Sequence, residues 1–148
     1  MSLLDRILRP SLTASAHCDG PCGVYDPASA RIAAEAVLSM AKKLVDLGDG
    51  NDLATENTRS RFIAIKEEQS QLAKQELLIL WTDYFKPPHL EANPGLHDTF
   101  WNAAKLCSQN KVEVNVDAAQ ALVDTIGEIH NIFWASKSRD DVPFYTAG

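Results

Sequence analysis

AHCDGPCGVYDP, residues 16–27, packs a histidine, two cysteines, two glycines, two prolines and a tyrosine into twelve positions, and nothing else in the chain looks like it. Its last two residues open the fold. Asp26 is an acidic N-cap and Pro27 fits the first helical position. Beyond them, apolar residues recur at Ile32, Ala36, Val37, Met40, Leu44 and Leu47, a stripe of helical period that Gly48 and Gly50 close.

Outward from that helix the pattern repeats. A longer helical segment spans 55–85, with Phe62, Ile65, Leu72 and the run 77–81 on its buried side. Lys86-Pro87-Pro88 ends it, because tandem prolines cannot continue the hydrogen-bond ladder. Asn93-Pro94 restarts a helix through Leu96, Phe100, Ala103 and Cys107. Residues 110–115 read as a loop with some strand propensity, too short and isolated to build a sheet. A last helix spans 116–136, striped by Ala119, Leu122, Ile126, Ile129 and Phe133. Four amphipathic helices joined by short loops predict an all-α, up-down-up-down four-helix bundle with an N-terminal metal-binding hook. A polar tail, 139–148, is expected to lie loose beyond it.

The chain of 148 residues suits one domain with a real core, and 45% hydrophobic with 23% charged residues is ordinary soluble composition. No apolar run approaches the roughly 20 residues of a membrane span. A net charge of −6 argues against nucleic acid, which calls for a basic face. Three cysteines, an odd count, argue against a disulfide framework; two of them near a histidine point to metal or redox chemistry in a reducing, cytoplasmic setting.

Three readings compete for His17-Cys18-x-x-x-Cys22: a metal hook, a redox pair, or a turn. A redox pair normally has two intervening residues, not three. A structural zinc site needs a fourth side chain, and His89, His97 and His130 are all distant in sequence. Residues 1–16 end in Ala14-Ser15-Ala16, the small-x-small pattern of a processing site, yet Asp5, Arg6 and Arg9 interrupt the apolar run that an export signal needs. If that leader is removed after Ala16, His17 becomes an N-terminus. Its amine, the deprotonated Cys18 amide nitrogen and the Cys18 thiolate then form fused chelate rings, and Cys22 returns to complete a square. Two nitrogens and two sulfurs in a plane suit divalent nickel, with the His17 imidazole left for an axial position.

These residues resemble the nickel superoxide dismutase family. The likeness is carried by His17-Cys18-Asp19, Pro21-Cys22-Gly23-Val24-Tyr25-Asp26-Pro27 and Arg31-Ile32. A second block, Leu72-Ala73-Lys74, Leu80-Trp81 and Asp83-Tyr84-Phe85-Lys86-Pro87-Pro88-His89, agrees, as does Ile132-Phe133-Trp134. The resemblance implies a leader over 1–16 removed by a dedicated protease, a hook over 17–25, a bundle over 17–138 and a hollow homohexamer. It implies dismutation of superoxide by one nickel per subunit cycling between Ni(2+) and Ni(3+), with His17, Cys18 and Cys22 as ligands. Tyr25 and Tyr84 are then expected to order water and guide superoxide, Asp19 to fix the hook, and Lys86 to attract the anion.

The pattern departs from the family at three places. Gly20 stands where an apolar residue is usual, which loosens the turn. Ala33 and Gln69 stand where the family places a glutamate and an arginine around the axial imidazole. Glu35 and Glu68 are near in sequence but are expected to face elsewhere. The departures motivate an alternative, a helical metal-binding or interaction protein that keeps the hook without turnover.

Overall fold

The computed structural model describes residues 22–147, in which every regular element is helical. Helix α1 spans Ala28–Leu47, α2 Leu53–Ile79, α3 Pro87–Ala92, α4 Leu96–Val112 and α5 Val116–Ser136, with a π-helical turn Leu80–Tyr84 after α2. Helix α1 packs on α2 and α5, and α4 packs on the same two, so the four long helices close a bundle.

The helix starts one residue later than expected, with Pro27 rather than Asp26 at the N-cap; Asp26 Oδ1 still accepts from Ala28 N at 2.8 Å, and Pro27 O accepts from Arg31 N at 3.0 Å. The buried face of α1 is rotated from the expected stripe. Ala30, Ala33, Ala34, Val37, Met40, Ala41 and Leu44 face inward, while Ile32 is 58% exposed. Alanines let the helix axes approach closely, so the small residues set the contact and the bulky isoleucine is turned out.

Helix α2 starts at Asp52, whose Oδ1 accepts from Ala54 N and Thr55 N at 3.0 and 3.1 Å. Hydrogen bonds from Thr55 hold that carboxyl below its ordinary range. Its buried residues are Lys66, Ser70, Ala73 and Leu77; Ile65 and Leu72, expected inside, are 38% and 39% exposed, and Phe62 is half-buried. What displaces them is Lys66, 2% exposed, which turns inward to donate to the backbone oxygens of Asn110, Lys111 and Glu113 at the end of α4. A row of apolar residues one position away cannot share that face.

The tandem prolines end the long helix as expected, but they also begin a new one. Pro87 and Pro88 occupy the first turn of α3, where no backbone donor is needed. The segment 110–115 is less of a loop than its sequence reads, since α4 continues to Val112. Helices α4 and α5 follow their stripes closely: Leu96, Phe100, Ala103 and Cys107 are buried, as are Ala119, Leu122, Ile126, Ile129 and Phe133.

The tail is not loose over the described residues. Val142 O lies 3.0 Å from His130 Nε2, the Phe144 ring is 5.3 Å from that of His130, and Ala147 N donates to Glu35 Oε2 at 3.0 Å. Val142 and Phe144 are half-buried while Asp141, Pro143 and Tyr145 are exposed. That alternation of an extended chain straps the tail over α1 and α5.

Candidate metal centre

One end of the bundle gathers the start of α1, the π turn after α2, α3 and the last turn of α5. The π turn is closed by Phe85 N donating to Leu80 O at 3.1 Å. It turns Tyr84 by about 100° relative to an α-helical continuation. The Tyr84 ring centroid then lies 5.5 Å from Tyr25, 4.6 Å from Phe133, 5.0 Å from Phe85 and 5.5 Å from His89, which stacks nearly parallel on it. Lys137 Nζ stands 5.1 Å from the ring centroid. The Tyr84 hydroxyl is 2.6 Å from Ser136 Oγ.

Cys22 lies three residues before Tyr25, exposed and with a free thiol. Gly23 follows with φ at +64°, a left-handed conformation that L side chains adopt only under strain. His17, Cys18, Asp19, Gly20 and the Gly20-Pro21 bond fall outside the described residues. The donor chemistry fits nickel at the accessible end of this segment: the Cys22 thiol is solvent-reachable and in no disulfide. Among the described residues no group of three or more His, Cys, Asp or Glu side chains is placed to hold a metal, so no rival site competes there.

Of the expected residues, Tyr25 and Tyr84 are brought together, whereas Lys86 is exposed at the start of α3. Lys86 N donates to His89 Nδ1 at 2.9 Å, which gives His89 its local hydrogen bond. His97 Nδ1 accepts from Trp81 Nε1 at 2.8 Å. Ala33 is fully buried. Glu35 does face elsewhere: its Oε2 takes Arg31 at 3.2 Å and the tail at Ala147. Glu68 is exposed. Ser136 and Lys137 were not foreseen, and only a pairing 52 residues apart in sequence reveals the first.

Cys107 makes the contrast with Cys22. It is fully buried, and burial pushes its thiol from 9.0 up to about 12. A folded-state value raised above the unfolded one stabilises the fold below the unfolded value and loses that contribution as pH rises through the folded one. The thiol's contribution to stability is therefore expected to fall between pH 9 and 12, by about 1.4 kcal/mol at pH 10. Urea melts at pH 8 and pH 10 check this: the Cys107→Ala variant should lack that part of the alkaline loss. Equal losses in both would show that the thiol ionises freely in the fold.

The family model for nickel-containing superoxide dismutase matches residues 12–137. Two curated relatives named superoxide dismutase [Ni], from Streptomyces coelicolor and Streptomyces seoulensis, are each 43% identical over 135 residues, covering 91% of this chain and 98% of theirs. Among solved structures, a Ni-containing superoxide dismutase with the nickel ligation of the oxidized state aligns with a TM-score of 0.74 at 43% identity. A native NiSOD structure aligns at 0.73 and 41%. Each covers 82% of this chain and 99% of its own.

Proposed function

Since this chain belongs to the nickel-containing superoxide dismutase family, we propose that it dismutes superoxide at a nickel held by His17, Cys18 and Cys22 once residues 1–16 are removed. Two superoxide ions and two protons give one dioxygen and one hydrogen peroxide. Bound nickel, one per subunit, supplies the one-electron chemistry, and soft thiolate donors make its higher oxidation state accessible.

The chain's own residues do the rest. Tyr25 and Tyr84, ring centroids 5.5 Å apart, border the approach to Cys22, where they order water, guide superoxide and limit entry of peroxide. Asp19 fixes the hook. Lys86, exposed beside the tyrosine end, adds the local positive field that a protein of net charge −6 needs to draw in an anion.

The observation that carries this reading is the accessible, unpaired Cys22 beside the Tyr25–Tyr84 pair, on a chain matched to the family from residue 12 to 137. Leader removal is supported by Ala14-Ser15-Ala16, a small-x-small pattern placed directly ahead of His17. The subunits assemble as homohexamers, a reading supported by the apolar surface at Ile32, Val45, Ile63, Ile65, Leu72 and Leu78. The setting is cytoplasmic, with a separate protease trimming the leader. Among the described residues no helix is long and apolar enough to cross a membrane.

The test loads the chain beginning at His17 with nickel, zinc or no metal and measures superoxide consumption. Turnover with nickel alone is expected. Tight nickel binding without turnover would instead mark a bundle that keeps the hook only, as the loss of an acidic group at Ala33 would cause.

A further inference from the structure

Ser136 Oγ is 2.6 Å from Phe133 O and 2.6 Å from the Tyr84 hydroxyl oxygen. A carbonyl accepts and never donates, and a serine hydroxyl has one proton. The Ser136 proton is therefore committed to Phe133 O. The contact with Tyr84 then has one possible sense, in which the phenol donates and Ser136 accepts. The ring is held in place for this by the near-parallel stack on His89 at 5.5 Å and by Phe133 at 4.6 Å.

We propose that Ser136 is a positioning residue that fixes the hydrogen-bond polarity of Tyr84. The phenol proton runs into the bundle, along Tyr84 O–H to Ser136 Oγ–H to Phe133 O. The phenol oxygen keeps lone pairs and has no proton to offer. Tyr84 thus accepts from water or from hydrogen peroxide, both of which carry O–H groups, and does not donate to superoxide, which carries none. A tyrosine set this way organises solvent and product without trapping the anionic substrate by a charge-assisted bond, the stronger kind. The proposal rests on the reading of Tyr84 as a residue of the approach to the metal, and adds the reason that its hydroxyl does not hold the substrate.

The polarity is testable without metal. Raman spectra of the metal-free protein, taken as the difference from Tyr84→Phe, report whether the phenol acts as donor or acceptor. A donor signature is expected in the wild type and in Ser136→Thr, and its loss in Ser136→Ala. An acceptor signature in the wild type, or an unchanged spectrum in Ser136→Ala, would overturn the proposal. In the nickel-loaded enzyme, Ser136→Ala releases the phenol proton toward the anion. KM for superoxide should then fall by up to about fivefold, the equivalent of one ordinary hydrogen bond, with kcat changed less and Ser136→Thr restoring the wild-type value. A spectrum that changes as expected while KM stays fixed would uphold the polarity and remove Tyr84 from the substrate's path.

Discussion

A chain that keeps residues 1–16 is expected to bind nickel more than about 100-fold more weakly than one that begins at His17, and to consume no superoxide at a measurable rate. The reason lies in one nitrogen. In the uncut chain it is the amide of the Ala16–His17 bond, whose lone pair is delocalised into the carbonyl. After cleavage it is an amine with a localised pair. Loss of a group that merely orients a ligand lowers metal affinity by roughly 10–100-fold, so loss of a donor itself exceeds that range. Isothermal titration of nickel into both forms measures the difference, and a superoxide assay reads its consequence. A third form, with a single glycine ahead of His17, separates the amine from the bulk of the leader. It should be as weak as the uncut chain. If the one-residue extension binds and turns over like the trimmed chain, the leader acts by blocking the site and the amine is no ligand.

How much of this could be read from residues alone follows from the range of the interactions. The faces of α4 and α5 are set by large side chains at helical period, and Phe100, Ile126 and Phe133 are buried where their spacing puts them. In α1 and α2 the contact surface is set by close approach of alanines and by one inward lysine. Hydrophobicity ranks Ile32, Ile65 and Leu72 above those residues, so the stripe comes out rotated. Helix α3 was hidden because Pro87-Pro88 stops one helix and suits the first turn of the next. The strap 139–147 looked polar because only alternate residues, Val142 and Phe144, bury apolar surface. At the metal end, the dense motif around Cys22 and the Tyr84 block stand out locally. The partners of Tyr84 do not, since Ser136 and Lys137 reach it only through the closure of α5 on the π turn.

Lys66 is where the largest change in stability is expected. Its ammonium donates to Asn110 O, to Lys111 O at 3.0 Å and to Glu113 O at 2.9 Å, taking the place of the missing next turn for the last carbonyls of α4. The charge also sits at the negative end of that helix. Burial works against it, pulling the Lys66 ammonium below its ordinary 10.5. That penalty offsets part of the three bonds, so their sum is not the net effect. Lys66→Met keeps most of the stem's packing and deletes the donors, leaving the buried Asn110 carbonyl without its lysine and the part-buried Lys111 and Glu113 carbonyls to water. The buried orphan costs about 1–3 kcal/mol, and loss of the charge-assisted bonds to the part-buried pair brings the expected total to about 2–4 kcal/mol. Against a domain stability of about 5–15 kcal/mol this is a large fraction. Urea denaturation of metal-free wild type and variant gives the magnitude. Hydrogen exchange gives the location: protection should drop first in the last turn of α4 and at the start of α5, where Asn115 Oδ1 accepts from Ala118 N at 3.0 Å. A cavity variant of similar size, Leu77→Ala, should instead lower protection across the core around Phe100 and Phe133. If Lys66→Met is as stable as the wild type, the desolvation of the ammonium equals what its three carbonyls return, and the end of α4 is held by packing alone.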